Sequence, residues 1–485
     1  MLIDRRARLA GILASRRFLW AALALAFVLR LAWAVAAGDA RRFSDSDSYI
    51  EIADNVLAGY GFIWGDPAVT DLWQWVGRPP LYPLLIAATR FSLFGREFLA
   101  LYLVQVILAT ATVALFALTA RRLLGKVAAG ATALVVAVDP YLIFHTGAVL
   151  SETLFTFFLA AFVYGAIVLL ADEARGNAWV SSSSQPSPYP LSHGRGDSVS
   201  RPVSAQDASP DGSNASLASA LTPSPFPEVE GTIRDRRCAC EFVLGAIIAG
   251  LAAGASFLTR PSLLWLVVLF TAFVAVWAKP RSSAVLSAVS ILVISLLMVL
   301  PWGIRNHRVT GHWVFTTLGV GASLYDGLGP QADGSSNMSF MHSMPQIAHK
   351  NEFDRDAYLR YRALRAAAED PSRVAKLAVR KIARFWSPMP NNAQFGGAVY
   401  VVASLLYTLP IYVLAALALA SRAFSKRMLF ILLAAPVYFT AVHSVFVASA
   451  RYRTPVMPFV AMLAAAWVAW FLSRSAAPND CAPQR

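Results

Sequence analysis

Acidic residues are scarce in this chain. Only 28 Asp and Glu accompany 42 Lys and Arg, and charged side chains make up 14% of the 485 residues. Soluble domains carry about 25% charged residues, so a wholly water-soluble protein is excluded. Cysteine is almost missing, with Cys238, Cys240 and Cys481 the only three. Three thiols on the expected cytoplasmic side give no disulfide framework. The Cys238-x-Cys240 pair has no nearby His or Cys to complete a metal site. The net charge of +14 is spread over short segments between apolar runs. That distribution is the ordinary excess of basic residues on cytoplasmic loops, and it gives no reason to invoke nucleic acid.

What the chain has in abundance is apolar length: 57% of its residues are hydrophobic. The runs suit helices that cross a bilayer. Candidate spans cover roughly 18–37, 97–120, 127–145, 150–171, 242–258, 261–278, 283–301, 398–420, 428–447 and 455–473. With the basic N-terminus inside, the loops at 121–126, 278–281 and 421–427 also fall inside, as positive charge requires. The apolar piece 81–94 is short and contains Pro83 and Arg90, so it reads as re-entrant or interfacial. The expected fold is an all-α polytopic membrane protein of about 10–13 spans, with juxtamembrane helices and a soluble loop on its outer face.

The chain divides accordingly. Residues 1–174 form an N-terminal membrane part that includes a first outer loop at 38–96. Residues 175–240 are rich in Ser and Pro, cannot bury enough apolar surface to fold, and read as a disordered cytoplasmic insertion. Further spans fill 241–301, a second outer loop fills 302–397, the last spans fill 398–475, and 476–485 is a cytoplasmic tail. Within the second outer loop, Asp370-Pro371 reads as the start of an amphipathic helix lying on the membrane surface.

Several polar groups gather on the outer face of this topology. Arg78, Arg260, Arg305, Arg308, Arg451 and Arg453 lie there against the usual charge bias. Each alone could be a snorkelling side chain, but arginine also grips phosphate through two parallel donors. Pro79 and Pro80 keep Arg78 out of helical geometry. Asp45, Asp47 and Tyr49 open a helix whose apolar face includes Ile50, Ala53 and Leu57, and which Gly59 and Gly61 end. One of the two aspartates can cap that helix while the other stays free for chemistry. Glu152, beside Ser151, opens a span, and ionisable groups at such depth are usually functional. Asp139 reads as a helix breaker before Pro140, and His145 as a hydrogen-bonded helix-end residue. Tyr325 and Asp326 offer a weaker signal, an aromatic platform and an acceptor suited to a sugar.

The ordered set Asp45-x-x-x-Tyr49, RPPLYPLL at 78–85, SETLF at 151–155, LTRP at 258–261, PWGIRN at 301–306 and RYRTPVMP at 451–458 resembles bacterial GT-C membrane glycosyltransferases of the protein-mannosyltransferase and aminoarabinose-transferase type. The resemblance runs over nearly the whole chain outside 175–240. It implies an inverting transfer of one sugar from a polyprenyl-phosphate donor to a glycolipid, polysaccharide or protein acceptor at the outer face of the inner membrane. It assigns Asp45 and Glu152 to catalysis. Arg78, Tyr49, Tyr82, Arg260, Arg305, Arg451 and Arg453 then serve substrate and phosphate binding, with Asp47 and Tyr325 secondary. Ser48 and Arg78 stand where such enzymes often carry Arg and Lys, so the geometry at the phosphate differs. No cofactor is required, although Asp45 with Asp47 or Glu152 could ligate a divalent ion. The rival reading is a secondary transporter or lipid flippase, which would show repeated halves with broken helices at mid-depth; the chain shows no internal repeat.

Overall fold

A computed structural model describes residues 2–38, 43–65, 74–170, 227–278, 281–391 and 397–473. The described residues are helical and contain no strand beyond isolated bridges such as Trp64 with Gln74. Six helices are long and apolar enough to cross a membrane: Arg16–Ala37, Leu99–Leu124, Arg281–Thr310, Ala398–Ala420, Lys426–Val445 and Ala450–Ser473. Four shorter apolar helices lie at Lys126–Ala137, Glu152–Val168, Glu241–Phe257 and Pro261–Trp277. Together they match the positions read from hydropathy, and the chain is an all-α, multi-pass membrane protein.

The N-terminal half packs around α5 (Leu99–Leu124). It touches α2 (Arg16–Ala37), α6 (Lys126–Ala137) and α8 (Glu152–Val168), while α1 (Leu2–Ala14) lies against α6. Helix α9 (Pro227–Phe257) sits between α8 and α11 (Arg281–Thr310), and α10 (Leu264–Trp277) packs on α11. The α8–α9 contact depends on small residues. A Cβ on Gly165 would lie 2.8 Å from both the Gly245 carbonyl oxygen and the Ala249 nitrogen. Without a side chain there, the two backbones approach closely, as membrane helices do when lipid gives them no hydrophobic drive to associate. At the C-terminal end, α15 (Ala398–Ala420) and α6 both pack against α17 (Met457–Ser473), and α16 (Lys426–Val445) also contacts α17.

The two long loops expected on the outer face are helical as well, among the described residues. The first carries α3 (Ser44–Leu57) and α4 (Leu81–Ala88), the latter a two-turn helix rather than a span. Ile50 and Ala53 of α3 are buried as its pattern predicts, but Leu57 is 56% exposed because it falls on the last turn, beyond the surface that α3 covers. The N-cap of α3 is Phe43, with Asp45 and Asp47 in its first turn, so neither aspartate caps it. Asp139 does cap a helix: its Oδ1 accepts from the backbone of Tyr141 and Leu142 and opens α7 (Pro140–His145). His145 closes that helix with Nδ1 2.6 Å from the Tyr141 carbonyl.

In the second outer loop, α12 (Val320–Leu328) packs on α13 (Glu352–Glu369), and α14 (Pro371–Phe385) follows with Asp370 as its cap, as the sequence predicts. Of the expected insertion at 175–240, residues up to 226 lie outside the described set; helix α9 already runs from Pro227.

Candidate active site

Three tertiary hydrogen bonds bring the ends of several helices together on one side of the molecule. Ser46 Oγ of α3 donates to the Val149 carbonyl at 2.8 Å, bringing the first turn of α3 beside the start of α8. The Leu81 amide donates to the Leu258 carbonyl at 2.9 Å, joining the Pro79-Pro80 turn to the turn that carries Arg260. The Ala450 amide donates to Asn391 Oδ1 at 2.7 Å and fixes the short 3-10 segment Ala450–Val456. These ties bring residues 45, 78, 152, 260 and 451 into one polar cluster.

The cluster is a chain of ion pairs. Arg78 Nη2 lies 3.2 Å from Asp45 Oδ1, and Arg451 Nη1 lies 2.8 Å from Asp45 Oδ2. Arg451 also donates through Nε to Glu152 Oε1, which accepts a second bond from Arg260 Nη2 at 2.7 Å. Arg78 Nε reaches Ser48 Oγ and Arg260 Nε reaches Ser151 Oγ, each at 3.0 Å. Aromatic rings support the cations: Arg78 lies over Tyr49 and Trp64, and Arg260 over Phe155 and Tyr452. Such rings favour a cation when water is excluded. Three guanidiniums face two carboxylates, so one positive charge is left over for an anion. Burial pushes the Asp45 carboxyl up, but Arg78 and Arg451 outweigh it and hold the group below the usual carboxylate value.

Glu152 is fully buried, and its Oε2 has no hydrogen-bond partner. A buried carboxylate oxygen left unpaired is costly, so this atom is a free acceptor inside the cluster. Asp45 is partly exposed and the more accessible of the two carboxylates. Arg451 also lines a cavity of about 370 Å³, whose wall includes Trp33, Phe43, Tyr141, Phe144 and Tyr400. A mainly aromatic and apolar chamber thus opens beside the charged cluster.

The other sequence candidates have different surroundings. Tyr49 is buried, with its ring edge-on to Tyr82 at 5.1 Å. Tyr82 is fully buried, and its hydroxyl donates to Gln105. Arg305 donates to the carbonyls of Trp75 and Phe62, both at 2.6 Å. Arg453 is fully buried and donates to the Ser387 carbonyl and the Tyr412 hydroxyl. Arg308 and Asp47 are exposed. Tyr325 packs edge-on to Phe340, and buried Asp326 accepts from Ser336 and Asn337 in the second outer loop. Ser48, Trp64, Ser151 and Tyr452 complete the cluster, yet sequence reading did not rank them. Only the positions of Ser48 and Ser151, beside Tyr49 and Glu152, hinted at them.

A divalent ion fits the donor set poorly. Both carboxylates already accept from guanidiniums, and among the described residues no group of three or more His, Cys, Asp or Glu is placed to hold a metal. Ligation would require those arginines to turn away first.

Residues 77–183 match the family described as dolichyl-phosphate-mannose-protein mannosyltransferase. No curated protein matches the chain in sequence. Among solved structures it is similar to the oligosaccharyltransferase AglB of Archaeoglobus fulgidus in complex with an inhibitory peptide and a dolichol-phosphate. The identity is 13% and the TM-score 0.50, with 93% of this chain and 50% of that one covered. The apo form of the Archaeoglobus fulgidus enzyme gives 14% and 0.51, again over 93% and 50%. ArnT from Cupriavidus metallidurans bound to undecaprenyl phosphate aligns at 14% identity over 93% of this chain and 76% of that one, with a TM-score of 0.33. The chain spans about half the length of the oligosaccharyltransferases it matches. By its helical architecture the chain shares the fold of the membrane part of the Archaeoglobus fulgidus oligosaccharyltransferase, and its residues 77–183 resemble the dolichyl-phosphate-mannose-protein mannosyltransferase family.

Proposed function

We propose that this protein is an inverting membrane glycosyltransferase, moving a sugar from a polyprenyl-phosphate donor to an envelope acceptor at the outer face of the bacterial inner membrane. The observation that carries the reading is the cluster itself. A partly exposed carboxylate, Asp45, shares Arg451 with buried Glu152, and Arg78 and Arg260 flank the pair. A base beside a surplus of fixed guanidiniums is what such a transfer needs. The AglB structure, which shares the fold and holds a dolichol-phosphate, supports a lipid-phosphate donor here.

In the proposed reaction an acceptor hydroxyl oxygen attacks the anomeric carbon. The bond from that carbon to the donor phosphate oxygen breaks as the new glycosidic bond forms. Asp45 takes the hydroxyl proton, and the electron pair leaves with the polyprenyl phosphate. Negative charge on that phosphate grows through the transition state, so Arg78, Arg260 and Arg451 bind it more strongly there than in the ground state. Glu152 fixes Arg260 and Arg451, and the aromatic chamber beside Arg451 accommodates an apolar or sugar portion of a substrate. The acceptor is a glycolipid, a polysaccharide or a protein.

The test is transfer by the purified protein in detergent from a polyprenyl-phosphate sugar. It is paired with mass spectrometry of envelope glycolipids and glycoproteins from a deletion strain. Loss of one sugar from one acceptor in the deletion strain, restored by the parent gene, is the expected result. An unchanged envelope, with substrate uptake or lipid translocation lost instead, would establish the transporter reading.

A further inference from the structure

Every backbone polar group of Trp75 and Val76 is held by another part of the chain. The Trp75 amide donates to Glu352 Oε2 at 2.9 Å, and the Val76 amide lies 3.1 Å from each Glu352 oxygen. The Trp75 carbonyl accepts from Arg305 Nη1 at 2.6 Å, and the Val76 carbonyl from Thr317 Oγ1 at 2.7 Å and the Leu318 amide at 2.9 Å. Val76 is fully buried and packs with Val314 and Leu318 of the second outer loop. The next residue, Gly77, is pressed so closely on Gln74 that an added Cβ would meet its side-chain oxygen at 1.7 Å. Arg78 follows directly, and Pro79 and Pro80 stiffen the chain beyond it.

Glu352 does not bond any member of the ion-pair cluster. Its carboxylate is spent on two amides within three residues of Arg78, and through them α13 grips the first outer loop. A carboxylate that bridges consecutive backbone amides fixes both the position and the direction of the chain.

We propose that Glu352 is a positioning residue: by clamping Trp75 and Val76 it sets where Arg78 meets the donor phosphate, so the second outer loop controls the geometry of donor binding. The proposal rests on the glycosyltransferase reading above for the role of Arg78. Arg305 serves the same clamp from the other side, which accounts for an outer arginine that faces backbone carbonyls.

The test is a double-mutant cycle. Glu352→Gln should lower kcat/KM for a polyprenyl-phosphate sugar about tenfold in the parent, since small misplacement of a binding group costs rate out of proportion to its distance from the chemistry. In an Arg78→Gln background the same change should have almost no further effect. An equal loss in both backgrounds, or no loss in the parent, would overturn the proposal. Thr317→Val, which removes one bond to the Val76 carbonyl, is the second variant in case Glu352→Gln does not fold, and it should show the same dependence on Arg78. Amide hydrogen exchange at Trp75 and Val76 is read on the same samples without substrate. Faster exchange there in Glu352→Gln is expected, and unchanged exchange would remove the clamp. If the parent neither binds polyprenyl phosphate nor transfers sugar, the functional reading fails while the exchange result still judges the clamp.

Discussion

Arg451 Nη1 lies 2.8 Å from Asp45 Oδ2, linking residues at opposite ends of the chain. The same guanidinium reaches Glu152 through Nε, so the accessible carboxylate and the buried one share one cation. Arg451 is therefore the residue whose loss should do most damage. Arg451→Gln leaves Glu152 with Arg260 alone in a fully buried position. Breaking a buried pair from one side costs about 3–5 kcal/mol. The expected outcome is both a large fall in thermal stability in detergent and loss of transfer. A variant as stable as the parent would show that Arg260 alone compensates Glu152.

Asp45→Asn keeps the shape of the side chain and removes its basicity. Turnover should fall about 10²- to 10⁴-fold, the usual range for a lost general base, while donor binding persists because Arg78, Arg260 and Arg451 remain. Asp47→Asn should do little, since Asp47 is exposed on α3 and outside the ion pairs. Single-turnover kinetics with radiolabelled donor separate binding from chemistry, and near-normal turnover in Asp45→Asn would remove it as the base.

Arg78 is partly exposed and bonded to Asp45 and Ser48. Arg78→Gln should weaken donor affinity and turnover together, by about 1.5–3 kcal/mol for the lost charge-assisted bonds. Arg78→Lys should recover part of that, because charge returns without the planar fork. Titration with a short polyprenyl phosphate measures the affinities directly.

Glu352 gives a pH signature. Burial raises its carboxyl from 4.5 to about 7, against the pull of the Trp75 and Val76 amides and of Arg355 and Arg305. The folded protein therefore holds this proton more tightly than the unfolded chain does. The resulting stability is fully present below 4.5 and is lost as pH rises through about 7, amounting to about 3 kcal/mol at most. Melting temperature should fall across that window in the parent more than in Glu352→Gln. Asp45 has the opposite sign: its depressed value lends stability above the ordinary carboxylate range that is lost only in stronger acid. Equal pH slopes for parent and Glu352→Gln would contradict the burial argument.

Topology is checked with a cysteine at Ser343, an exposed residue of the second outer loop. An impermeant thiol reagent should modify Ser343→Cys in intact spheroplasts. Protection there until the cells are lysed would invert the orientation.

Much of the architecture was legible because lipid leaves few choices. Apolar runs, proline turns and basic loops located the helices, and Asp370 starts its helix as read, whereas Asp139, read as a helix breaker, also caps the short helix that follows it. Chain position did not reveal how the arginines divide. Arg78, Arg260 and Arg451 face carboxylates. Arg305, near the end of α11, and Arg453, in the 3-10 segment Ala450–Val456, donate to protein carbonyls instead. A guanidinium is satisfied by either partner, and which one it meets depends on contacts far away in sequence. Glu352 escaped notice for the same reason: in a helix rich in alternating charges nothing local separates a clamp from a solvated side chain. Leu57 looked like a core residue because helical periodicity says which face a residue shares and nothing about where the covering surface stops.

The union of residues 45, 152 and 451 has a consequence for how the protein is made. Synthesis runs from the N-terminus, so Glu152 enters the bilayer long before its second arginine exists. It gains Arg260 only when the α9–α10 turn arrives, and Arg451 only with the last helical pair. A nascent or truncated chain ending before residue 450 would hold most of its spans, yet carry a buried anion short of one counter-charge. Such an intermediate should be less stable in the membrane than the full chain, since a buried charge short of a partner is costly. The ion network can therefore close only once residue 451 has been made, so the cluster forms late in synthesis.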